Sequence, residues 1–134
     1  GADHLTITDT NAARAAALVT QLSQNAGAAQ IDAIGLDQLP EIAPTGVVNA
    51  TPMGMAKLPG SAYPVELLHP DLWVADIVYF PLETELLAAA RAAGCRVLLG
   101  SGMAVYQAVR AYELFTGRKP DPMRMKATFD SFIS

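Results

Sequence analysis

The chain has 134 residues, 51% of them hydrophobic and 16% charged, which suits one domain with a real core and argues against disorder. Thirteen acids against nine bases leave a net charge of -4, and no basic run exceeds Arg118-Lys119, so no nucleic-acid partner is expected. The longest apolar runs, such as Leu86 to Ala90 and Val97 to Leu99, fall far short of the roughly 20 residues of a membrane helix. No membrane association and no signal peptide are expected, which favours a cytoplasmic protein.

Leu5 to Thr8 reads as the first strand, closed by Asp9. Thr10 or Asn11 can cap a following helix whose Ala15, Leu18, Val19 and Leu22 fall at i, i+3, i+4 and i+7, and which ends near Asn25 to Gly27. Ile31 to Ile34 is a weaker second strand, and Leu36, Leu39 and Ile42 suggest a short helical turn broken at Pro40 and Pro44. Gly46 to Asn49 is a compact buried strand. Thr51 to Pro70 carries Pro52, Gly54, Pro59, Gly60 and Pro64, so it reads as a long ordered loop with at most one helical turn around Glu66 to Leu68. Loops of this length inside compact domains are usually functional.

Trp73 to Tyr79 is the clearest strand, and Pro81 to Ala93 is a helix closed by a left-handed Gly94. Cys95 reads as a small residue entering the last strand, Arg96 to Leu99; as a single cysteine it excludes an intrachain disulfide and a multi-cysteine metal site. Two helices finish the chain, from Met103 to Thr116 with Gly117 as the stop, and from Pro122 to about Phe132. His4 and His69 are isolated surface residues with no second ligand at a zinc-like spacing, so no metal is expected. Asp76, inside an apolar strand, reads as a structural hydrogen-bond partner.

The alternation of strands and helices is that of an α/β, Rossmann-like doubly wound parallel sheet with two C-terminal helices. Against the strand order 3-2-1-4-5-6, the five strands match all but the first, and no glycine-rich phosphate turn precedes Leu5. Without the central strand, its two neighbours would each expose unpaired backbone groups. A companion polypeptide carrying the missing half is therefore expected. Asp9 then stands at the end of the second strand, where an acid accepts hydrogen bonds from the adenosine ribose and repels the extra phosphate of NADP. An Asp capping the helix that follows is the compatible alternative.

Four stretches occur in order and in register: Asn49-Ala50-Thr51-Pro52-Met53-Gly54-Met55; Asp76-Ile77-Val78-Tyr79 with Pro81-Leu82-Glu83-Thr84; Gly100-Ser101-Gly102-Met103 with Tyr106-Gln107-Ala108; and Tyr112 to Gly117. Together they resemble the carboxy-terminal half of the shikimate dehydrogenase family, in particular its NAD-using quinate/shikimate dehydrogenases. The resemblance covers essentially the whole chain. It implies one incomplete NAD(P)-binding domain over 1–134, with the substrate and catalytic domain elsewhere, and a hydride transfer between NAD and a ring hydroxyl of quinate or shikimate.

Carried over by residue, the resemblance puts Asp9 and Arg14 on the adenosine end of the cofactor and Ala50 and Thr51 along it. Ile77, Gly100 and Met103 fall around the nicotinamide, with Gly100 allowing a close backbone approach. Tyr79 and Gln107 would reach the cyclitol, since a phenol and a carboxamide both donate and accept hydrogen bonds. Gln107 lies one helical turn after Met103 and so shares its face. Plainer readings stand beside these: Asn49 and Thr51 tie down a turn, Met53, Met55 and Met103 are apolar filling, and Gln107 faces solvent.

Departures also count. Leu99 stands where many relatives have Asp, and Phe80 where several have a polar residue. The family's catalytic lysine and aspartate belong to its amino-terminal domain, and Lys57 and Lys119 lie in the wrong motifs to replace that lysine. The chain alone is expected to be inactive. The other readings are an NADP-linked shikimate or aminoshikimate dehydrogenase, which Arg14 would suit, and a non-catalytic nucleotide-binding module; a homodimer is one assembly the resemblance allows.

Overall fold

The computed structural model describes residues 2–133, which divide at the Ala43–Pro44 bond into two compact units. The first is a parallel β-α-β unit: β1 (His4–Ile7), α1 (Ala12–Ser23) and β2 (Gln30–Ala33), in register from His4↔Gln30 to Ile7↔Ala33. Its ladder closes with the Ile34 amide donating to the Ile7 carbonyl, 3.1 Å, so Thr8 falls outside the strand expected for it. Asn11, not Thr10, caps α1 by accepting from the Arg14 amide. The helix stops at Ser23, and the chain turns on to Gly27, whose φ of 61° is left-handed. Of the apolar stripe, Ala15 is buried and Val19 half-buried, while Leu18 and Leu22 remain exposed. The 3-10 turn Leu36–Glu41 runs through Pro40 rather than breaking there, because its closing bonds are donated by Gln38 and Ile42.

In this unit His4 Nε2 lies 2.8 Å from Asp32 Oδ2. The His4 hydrogen bond, aided by Thr6 and by the imidazole's charge, holds the Asp32 carboxyl below its ordinary 3.8 against a smaller opposing effect of burial. A carboxyl depressed by folding stabilises above its unfolded pKa and loses that contribution as pH falls through the folded value. Both side chains are substantially exposed, so the pair is worth about 0.5 kcal/mol. Asp32→Asn is expected to lower the urea midpoint slightly at pH 7, with the gap to the parent closing well below pH 3.8.

The second unit holds β3 (Gly46–Asn49), β4 (Trp73–Asp76) and β5 (Arg96–Leu98), all parallel in the order β3-β4-β5. Helices α2 (Glu85–Ala92), α3 (Gly100–Thr116) and α4 (Pro122–Ile133) follow, and the long loop contains a 3-10 turn at Val65–Leu67. Alternation through β4 and its flanks buries Leu72, Val74, Asp76 and Val78, and α2, which packs on β4, adds Leu86, Leu87 and Ala90 to the buried core. Cys95 is buried and donates to the His69 carbonyl as it enters β5. Gly94 and Gly117 close α2 and α3 at φ 81° and 67°, the left-handed conformation expected of both.

β2 (Gln30–Ala33) lies one residue earlier than expected and β5 ends one residue early, at Leu98; the larger differences, in the second unit, each have a local reason. β4 ends at Asp76, not Tyr79, because the Asp76 carboxylate takes the Val78 amide out of the ladder. α2 starts at Glu85, not Pro81, because Thr84 is its cap and accepts from the Leu87 amide. α3 starts three residues before Met103, at Gly100, with a Leu99 cap that makes no side-chain bond and so leaves no sequence signal. The two units thus reproduce strands two to three and four to six of a doubly wound fold, and no strand corresponding to the first is among the described residues. Nor is any helix among them long and apolar enough to cross a membrane.

Candidate functional site

The expected site residues fall in both units. In the first, Asp9 follows β1 and its Oδ1 accepts from the Asn11 amide, 2.8 Å, and from the Thr10 hydroxyl. Its Oδ2 faces the Arg14 guanidinium at 3.7 Å. The Asp9 side chain is 25% exposed and that of Arg14 74%. Asp9 therefore steadies the turn into α1 with one oxygen and presents the other beside an exposed cation, an arrangement able to accept hydrogen bonds from a vicinal diol.

In the second unit, Ala50, Thr51, Ile77 and Tyr79 come together with Pro52, Met55, Val78 and Phe80 around a cleft of about 600 Å³. It lies where the chain leaves β3 and β4, the carboxyl ends at which doubly wound sheets bind ligands. The eight lining residues carry no charge, and the volume is that of an ordinary small-molecule site. Ile77 and Tyr79 are 39% and 49% exposed, so this wall is open to a ligand. The Tyr79 ring also meets Phe129 of α4 at a centroid distance of 6.3 Å, tilted by 59°.

Thr51 enters the cleft with its hydroxyl already paired: it donates to Asn49 Oδ1, 2.7 Å, and accepts from the Met53 amide, 3.1 Å. The turn-fixing reading of Asn49 and Thr51 is thus present in the structure, and it is compatible with lining the cleft. Met55 is 44% exposed in the cleft wall, so it is not apolar filling. Phe80 makes the departure from a polar residue concrete by adding an apolar ring to the same wall.

Gly100, Met103 and Gln107 sit on α3 and are not among the cleft's lining residues. Met103 and Gln107 are exposed one turn apart. Gly100 is buried, and the close approach it permits is to the chain's own backbone: a Cβ there would lie 2.5 to 2.8 Å from the carbonyl oxygens of Asp76, Ile77 and Val78. Behind the cleft, Asn49, Asp76 and Thr84 form a buried hydrogen-bonded set. Asp76 has the structural role expected of it, but its tie to Thr84, eight residues on, has no periodic signature. Among the described residues, no three His, Cys, Asp or Glu side chains gather as a metal site.

Known proteins match this architecture. The Shikimate 5'-dehydrogenase C-terminal domain family matches residues 100–128. A shikimate dehydrogenase (NADP(+)) from Streptomyces avermitilis is 55% identical over 95% of this chain and 44% of its own length. A quinate/shikimate dehydrogenase (NAD(+)) from Corynebacterium efficiens is 48% identical over 96% of this chain and 46% of its own. The structure of quinate dehydrogenase from Corynebacterium glutamicum in complex with NAD superposes with a TM-score of 0.88 at 46% identity, covering 96% of this chain and 46% of that one. The chain spans about half the length of the curated relatives it matches. By sequence and by fold, it belongs to the shikimate dehydrogenase family as a Rossmann-like carboxy-terminal half.

Proposed function

We propose that this chain is the nucleotide-binding half of a cytoplasmic quinate/shikimate dehydrogenase that uses NAD in preference to NADP. The observation that carries the reading is the uncharged cleft at the carboxyl ends of β3 and β4, in which Thr51, Ile77 and Tyr79 meet. Asp9 holds the adenosine ribose, with Arg14 beside it, while Ala50, Thr51, Ile77, Gly100 and Met103 surround the remainder of the cofactor. When bound, the nicotinamide would accept a hydride from the ring carbinol carbon in its oxidised form, or donate one to the corresponding ring ketone in its reduced form. Tyr79 and Gln107 orient the cyclitol by hydrogen bonds. The hydroxyl proton is handled by a lysine and an aspartate of the family's amino-terminal domain, so residues 1–134 are one incomplete domain of the working enzyme.

The missing half also carries the central strand and glycine-rich turn of this nucleotide-binding domain, on the same polypeptide or a companion one. The test is an assay of the purified 134-residue chain with NAD and quinate or shikimate, alone and with the family's amino-terminal half. No turnover alone and turnover on completion are expected; activity of the lone chain overturns the division of labour. The second reading, an NADP-linked shikimate dehydrogenase, is favoured by Arg14 at 3.7 Å from Asp9, placed to receive a 2′-phosphate, and by the NADP-named Streptomyces relative.

A further inference from the structure

Three polar side chains lie almost wholly out of solvent behind the cleft: Asn49 and Asp76 are 3% exposed and Thr84 is 1%. Buried polar groups of this kind persist only when their hydrogen bonds are made, and here they form one continuous chain. The Asn49 carbonyl oxygen accepts from the Thr51 amide, 2.9 Å, and the Thr51 hydroxyl, 2.7 Å. Its amide nitrogen donates to the Met53 carbonyl and to Asp76 Oδ1, both at 2.9 Å. The reversed amide would set donor against donor at Thr51, so the orientation is fixed by its partners. Asp76 Oδ1 also accepts from the Val78 amide, 2.9 Å, and Oδ2 from the Thr84 hydroxyl, 2.7 Å.

The two walls of the cleft, one leaving β3 through Ala50 and Thr51 and the other leaving β4 through Ile77 and Val78, share no covalent link shorter than the whole loop between them. Beside the ladder bond from the Ile77 amide to the Asn49 carbonyl, 3.1 Å, their common side-chain anchor is the Asp76 carboxylate, which also holds the residue capping α2. We propose that Asp76 is a positioning residue that locks both walls and the start of α2 into one body, so that the nicotinamide-contacting and cyclitol-contacting faces are set together. The assignment of those two faces rests on the function proposed above. Charge-assisted bonds to a buried acceptor are the strong ones, so weakening this anchor should loosen residues that do not touch it.

Amide hydrogen exchange of this chain reads the lock directly. In Asp76→Asn, exchange at Val78 and at Thr51 should both quicken about tenfold, although Thr51 has no bond to Asp76, while the Ala93 amide at the far end of α2 keeps its rate. Thr84→Val, which preserves shape and removes the hydroxyl, should act in the same direction, and Thr84→Ser should restore the parent rates; this pair decides the matter where Asp76→Asn does not fold. Acceleration confined to Val78 overturns the lock. In the completed enzyme, the dissociation constant for NAD and the KM for shikimate should both rise about tenfold with kcat within about threefold, since uniform binding is what a misplaced wall loses. Quickened exchange with both constants unchanged overturns the positioning role. If the unmodified enzyme binds neither NAD nor shikimate, the functional reading fails, and the exchange rates still decide the lock.

Discussion

Gly100→Ala is expected to destabilise the second unit by about 3 kcal/mol, the upper part of the range for forcing an extra carbon into a filled interior. The added Cβ would sit 2.5 Å from the Val78 oxygen, 2.7 Å from that of Ile77 and 2.8 Å from that of Asp76. All three are backbone atoms, so no side-chain rotation relieves the clash. Nor are they free to retreat: the Ile77 amide is bonded to the Asn49 carbonyl and the Val78 amide to the Asp76 carboxylate. Gly102 in the same helical turn has nothing within 4 Å of its missing Cβ, and Gly102→Ala should stabilise by up to about 1 kcal/mol through helix propensity alone. Urea midpoints of the two variants should move in opposite directions from the parent, and equal midpoints would contradict the packing argument.

The second large effect concerns the cofactor. Asp9→Ala in the completed enzyme should shift the ratio of NAD to NADP efficiency towards NADP by about tenfold or more. Two unit charges 4 Å apart interact by about 1 kcal/mol in water and about 4 at an effective dielectric of 20, and about 1.4 corresponds to a factor of ten. The partly exposed Asp9 lies between these limits. Its removal also frees Arg14, now 3.7 Å away, to meet a 2′-phosphate, which adds to the shift. Asp9→Ala combined with Arg14→Ala should lose part of the gain for NADP while still discriminating less against it than the parent does. A cofactor ratio unchanged by Asp9→Ala would leave the acid as a turn-steadying residue alone.

Much of this was legible in the chain itself. All five strands could be placed from short aliphatic and β-branched runs, but their burial could not: β1, β2 and β5 contain no fully buried residue, and β3, expected to be buried, leaves Val48 55% exposed. Gly94 and Gly117 announced two helix ends, since a left-handed residue there favours glycine. The motif around Asn49 to Met55 and the spacing of Asp76, Tyr79 and Thr84 carried the family resemblance that the comparisons bear out. What failed was edges. Nothing local marks Leu99 as a cap, and Pro81 looks like a first-turn proline although Thr84 holds the amide that starts α2.

The sequence by itself determined the α/β class, the order of elements and the family, because periodicity and motif spacing are properties of neighbours along the chain. Only the tertiary structure decided that Met55 and Phe80 join Thr51, Ile77 and Tyr79 around one cleft, and that Gly100 yields space to the chain's own carbonyls. It alone also joined Asn49 to Asp76 across 27 positions. That bond depends on two parallel strands lying in register with Asn49 opposite Asp76, a distance in space that no spacing in the chain encodes.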